Sequence, residues 1–101
     1  MHKKHISTII PKTSWLTPPV STNIKSGYVL LHKGEEVGEH ETIDKEEVIY
    51  IIEGEATVTI EGNREMAEAG SMLYIPPHKK HNIKNESDEV VKYIYVVSHF
   101  K

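Results

Sequence analysis

Two imidazoles and a carboxylate, His40, Glu47 and His81, stand at spacings that neighbouring strands could fold together. These are the side chains that bind a borderline divalent metal best when no thiolate is available, and the chain contains no cysteine. The missing cysteines also exclude disulfides, zinc–thiolate clusters and cysteine nucleophiles. Two runs of residues frame the trio. The first is Gly34, His40, Thr42, Glu47 and Gly54, and the second is Gly70, Pro76, His81 and Asn85.

The elements that must carry these residues are strands. Gly, Pro and Asn breaks recur at short intervals, and the stretches between them are β-branched and aromatic. Strands are predicted over Gly27–Lys33, Val37–Glu41, Glu46–Glu53, Glu55–Glu61, Arg64–Ala67, Ser71–Ile75, His81–Asn85 and Glu89–Ser98. Glu61-Gly62-Asn63-Arg64 predicts a hairpin with Gly-Asn at its centre, because both tolerate positive φ. Gly54 suits a bend or bulge. No helix is expected; the charge-rich stretch Glu35–Glu47 lacks apolar residues every three or four positions. Strand alternation places His40 and Thr42 on one face, and lets two further strands turn Glu47 and His81 to the same interior. With Glu47 inward, Ile49 and Ile51 follow it, while Val48, Tyr50 and Ile52 form an apolar outer row. That row needs cover, and the last strand is apolar on both faces too, so a homodimer is expected.

A chain of 101 residues is read as one domain with one core. Its 38% apolar content is below the globular average, which suits a polar cavity or an extended segment. The net charge of −3 is interleaved, with no basic stripe, so nucleic acid is not an expected partner. No apolar run nears the roughly 20 residues that cross a bilayer, so no membrane partner is expected. Met1 to Ile10 lacks the apolar block of a secretory signal, and a cytoplasmic protein is the expectation. Residues 1–26, with Pro11, Pro18 and Pro19, are predicted as an extended segment that packs on the body or on a partner through Trp15 and Leu16. Residues 27–101 form the predicted β domain.

The two runs resemble the paired motifs of the cupin superfamily. The first family motif is Gly, five residues, His-x-His, three or four residues, Glu, six residues, Gly. Gly34 to Gly54 fits it at every position except the second His, which is Thr42. The second is Gly, five residues, Pro-x-Gly, two residues, His, three residues, Asn. Gly70 to Asn85 fits it except at the inner Gly, which is His78. The resemblance covers residues 34–85. It implies an all-β fold, a small antiparallel jelly-roll barrel, holding a divalent metal inside: iron, manganese, nickel or zinc, which the sequence does not separate. It implies His40, Glu47 and His81 as the metal ligands. Glu46 also fits the shorter spacing from Thr42, but only Glu47 has six residues between it and Gly54.

Two neutral imidazoles and one carboxylate would leave a bound ion with open positions for water or a small-molecule ligand. Thr42, a weak neutral donor, is assigned to the surroundings of the ligands, along with His78 at the mouth and Tyr93 and Tyr95 as pocket residues. The functional expectation is a metal-dependent enzyme acting on a small polar or sugar-like molecule, of isomerase, lyase or dioxygenase type. The alternative is a non-enzymatic binding or sensory protein of the same fold, its metal site weakened by Thr42 to the point of being empty.

Overall fold

The computed structural model describes residues 1–100. It contains a short 3₁₀ turn at Ile6–Thr8 and nine strands, with no α-helix among the described residues. The strands are β1 (Thr13–Leu16), β2 (Ile24–Leu31), β3 (His40–Glu41), β4 (Lys45–Glu53), β5 (Glu55–Ile60), β6 (Asn63–Glu68), β7 (Met72–Ile75), β8 (Lys80–Lys84) and β9 (Val91–His99). They pair antiparallel into a five-stranded sheet, β1-β2-β9-β4-β7, and a four-stranded sheet, β3-β8-β5-β6. From β2 onward the chain passes back and forth between the two sheets. The result is a jelly roll whose sheets are not hydrogen-bonded into one closed cylinder.

Alternation along the strands explains the core. Val29 and Leu31 of β2, Ile49 and Ile51 of β4, Val58 of β5, Ile75 of β7, Ile83 of β8, and Val91 and Tyr93 of β9 are all buried in one cluster between the sheets. Each such side chain contributes roughly 1.5–3 kcal/mol by leaving water. On β4 the row Glu47, Ile49, Ile51 turns inward, and Val48 and Tyr50 are exposed, as the alternation predicts. Gly54 has φ 84°, and a Cβ there would run into the Val90 carbonyl, so the bend between β4 and β5 admits glycine alone.

The structure shifts several predicted boundaries. Residues 13–16 of the N-terminal segment form a strand, because Pro11, Pro18 and Pro19 flank that stretch instead of interrupting it, and Trp15 Nε1 donates to Ser26 Oγ at 3.1 Å. β2 begins at Ile24, inside the segment expected to be irregular. The strand predicted over Val37–Glu41 shrinks to His40–Glu41, since Gly38 takes φ 95° just before it. The hairpin turn is centred on Glu61-Gly62, with φ 50° and 81°, one residue earlier than Gly-Asn; this register pairs Ile60 with Asn63.

Candidate metal centre

His40, Glu47 and His81 come together: one donor atom from each lies within 4.8 Å of the others. The two imidazoles arrive from the four-stranded sheet. β3 and β8 pair with His40 opposite His81, and their ring centroids are 4.0 Å apart at 62°. The carboxylate arrives from the facing sheet. Glu47 is paired on both sides, opposite Ile75 on β7 and Val97 on β9, and its Oε1 lies 3.6 Å from His81 Nε2. Glu46 faces the other way and accepts a hydrogen bond from Tyr74 at 2.7 Å, which removes it as a rival ligand.

Backbone carbonyls set the ring orientations. His40 Nδ1 is 3.0 Å from the Gly38 carbonyl, and His81 Nδ1 is 3.4 Å from the Lys79 carbonyl. A carbonyl only accepts, so each Nδ1 is the donor, which leaves Nε2 as the ring nitrogen that could offer a lone pair to an ion. Asn82 holds the first of these supports: its Oδ1 accepts from Gly38 N–H at 2.9 Å, and its Nδ2 donates to Glu36 at 3.0 Å. Neutral imidazoles and a carboxylate fit iron, manganese, nickel or zinc. Bonds of about 2.0–2.2 Å to a common ion require donors about 3–3.5 Å apart. Glu47 and His81 already approach that spacing. His81 is buried, whereas His40 is exposed at the rim.

The other predicted site residues are placed as follows. Thr42 is fully buried, and its hydroxyl donates to the Pro76 carbonyl at 2.7 Å and accepts from Lys79 N–H at 3.2 Å. His78 is exposed in the turn between β7 and β8. Tyr93 is buried in the core, where burial first, and then the charge of Glu47 and the neighbouring Tyr95, push its phenol well above the usual range. Tyr95 is half-buried, its hydroxyl 3.2 Å from Ser14 Oγ beneath β1. Asn85 closes the loop after β8 by donating to the Leu31 and Glu89 carbonyls at 2.9 and 2.7 Å.

A slot of about 590 Å³ opens between the edge strands β6 and β7. Its walls include Val58, Ile60, Ala67, Leu73 and Pro76, with Glu65 and Lys79 supplying charge. Ile60 is the direct cross-strand partner of His81, so the slot lies one strand away from the donor cluster. The roles of Asn82, of the slot and of the two carbonyls are not legible as motifs. A carbonyl belongs to every residue type, and the slot joins strands remote in sequence.

A family model for the cupin domain matches residues 27–97. The polyketide synthase CurC of Streptomyces cyaneus is 29% identical over 86 residues, which are 82% of this chain and 56% of that protein. The chain thus spans little more than half the length of this curated relative. Among solved structures, a cupin protein from Bacteroides fragilis superposes with a TM-score of 0.85 at 22% identity, covering 97% of this chain and 83% of that one. The cupin domain of Schizosaccharomyces pombe Cnp3 gives 0.79 at 18% identity, covering 86% and 62%. At these identities the structural likeness concerns the fold.

Proposed function

The chain belongs to the cupin domain family, and on that premise we propose that it is a small metal-dependent cupin enzyme acting on a small oxygen-bearing molecule. One observation carries this: three donors from two facing sheets converge within 4.8 Å. The Nδ1 contacts to backbone carbonyls, which leave Nε2 available to an ion, support the same reading. A divalent ion held by His40, Glu47 and His81 would supply Lewis acidity, or a site for dioxygen, to an oxygen ligand. The protein's own part is to orient and to enclose. His81 and Glu47 present their donors from buried or half-buried positions, the Gly38 and Lys79 carbonyls fix the rings, and Ile60, Leu73 and Val58 give the adjoining slot an apolar wall beside its charged residues. Isomerase, lyase and dioxygenase chemistry on a keto, enediol or carboxylate oxygen all suit that arrangement. The relative's name, a polyketide synthase, is in keeping with a keto oxygen as the ligand atom.

The non-catalytic reading, a ligand-binding cupin, draws on Tyr93. This phenol feels the charge of Glu47, yet burial holds it protonated, which disfavours it as a proton carrier. Metal analysis of protein purified without chelator, with His40→Ala and Glu47→Ala alongside, tests the site. Unchanged metal content in both variants refutes the ligand assignment. A metal-loaded protein inert toward a screen of keto and enol acids favours binding alone.

We also propose a homodimer through the outer face of the five-stranded sheet, in a cytoplasmic setting. Val48, Tyr50, Met72, Tyr74 and Val96 are exposed there, and the register makes Val48 a neighbour of Tyr74 and Val96, and Tyr50 a neighbour of Met72. Glu46, on the same face, already accepts the Tyr74 hydroxyl, so two copies meeting about a two-fold axis would not bury that carboxylate without a partner. Light scattering on the wild type and on Tyr50→Arg reads this directly: a monomeric wild type refutes it.

A further inference from the structure

Thr42 and His78 depart from the two motifs at separate points of the sequence, and in the fold they touch. Every polar atom of buried Thr42 is spent on the Pro76–Lys79 turn. Its hydroxyl takes the Pro76 carbonyl at 2.7 Å and the Lys79 N–H at 3.2 Å. Its own N–H donates to the Lys79 carbonyl at 3.2 Å, and its carbonyl accepts the His78 N–H at 2.5 Å. Inside that turn His78 holds φ 60°, the left-handed region that a residue with a Cβ resists and glycine accepts. The exposed His78 side chain makes no hydrogen bond among the described residues, so the conformation is imposed by the surroundings. The Lys79 carbonyl, fixed by the same contacts, is the one that orients His81.

We infer that Thr42 is a positioning residue: it clamps the turn that His78 strains, and through the Lys79 carbonyl it aims His81 Nε2 at Glu47. The residue standing where the family places a further histidine thus serves the neighbouring ligand. The purpose of the clamp rests on the metal reading above; its mechanics do not.

The test is a double-mutant cycle in the full chain, using Thr42→Val, Thr42→Ser, His78→Gly and the Thr42→Val/His78→Gly pair. Two readouts separate mechanics from purpose: amide exchange at His78 and Lys79 in metal-free protein, and zinc affinity by chelator competition. Thr42→Val is expected to speed exchange at both amides about ten-fold relative to Ile83. It should weaken zinc binding about ten-fold, as loss of an outer-shell support does. Thr42→Ser restores both. In the His78→Gly background the Thr42→Val effect shrinks to about three-fold or less, because the turn no longer needs holding. Unchanged exchange in Thr42→Val, or an equal loss in both backgrounds, overturns the clamp. If Thr42→Val does not fold, His78→Gly alone decides: slower exchange at Lys79 supports the clamp, and faster exchange overturns it. Should the wild type bind no zinc while the exchange pattern holds, the metal reading fails and the clamp stands.

Discussion

Glu47 and His40 reach the same cluster on unequal supports. Glu47 is the third residue of a nine-residue strand with a paired strand on each side, and Ile49 and Ile51 further along the same face are fully buried. His40 sits on a two-residue strand that pairs on one side only, with β8, at the end of a loop held by Asn82. One donor is built into the core and the other is tethered to it. An ion drawing three donors together needs one that can move, and the sheet geometry assigns that task to His40.

The strongest blow to the rigid side is Ile49→Ala, expected to cost about 2–5 kcal/mol in denaturant unfolding, because a fully buried side chain leaves a cavity between the sheets. The same cost from an alanine beside His40, at Glu39 or Glu41, would erase the contrast. Next comes Glu47→Gln, which keeps the fold and removes the charge. It should lower metal affinity by more than the roughly 10–100-fold attached to an outer-shell support, and by more than His40→Ala does, in the same competition titration. An order reversed between these two variants breaks the comparison. Zinc at about one hundred times its Kd should then stabilise the wild type by about 2.7 kcal/mol, since the donors tie one sheet to the other. His40→Ala should lose most of that gain in thermal melts.

Asn82→Ala releases Gly38 and frees the His40 loop. It should weaken metal binding about ten-fold while leaving the melting temperature of metal-free protein nearly unchanged. The smallest effect is a pH slope. The Tyr93 phenol is raised in the folded protein, so its contribution is fully present below the unfolded value of about 10 and is lost as pH rises through the folded value. Stability should fall by about 1.4 kcal/mol per pH unit above pH 10, and Tyr93→Phe should flatten that slope by the same amount.

Much of the donor cluster is visible in the sequence. The ligand types and the spacings that carry them lie in the sequence itself, and so does the preference for Glu47 over Glu46. That preference rests on the spacing to Gly54, and in the structure alternation along β4 sends the two carboxylates to opposite faces. The ends of the elements were less legible. Prolines that flank β1 mask it in the sequence, and the expected strand Val37–Glu41 is longer than β3 because nothing in that stretch announces the φ of Gly38. Thr42 reads as a missing ligand until its partners are known, and those partners are backbone atoms of a turn more than thirty residues away.

The sequence by itself determined the alternating strands, the donor set and the inward row of β4, because these follow from side-chain chemistry and a period of two. Tertiary structure alone decided three things. His40 and Glu47 come from opposite sheets, both imidazoles hold Nδ1 against a backbone carbonyl while His81 Nε2 lies 3.6 Å from the carboxylate, and the slot beside Ile60 lies between two unpaired edges. Each depends on pairing between distant strands and on carbonyls whose direction no residue type encodes.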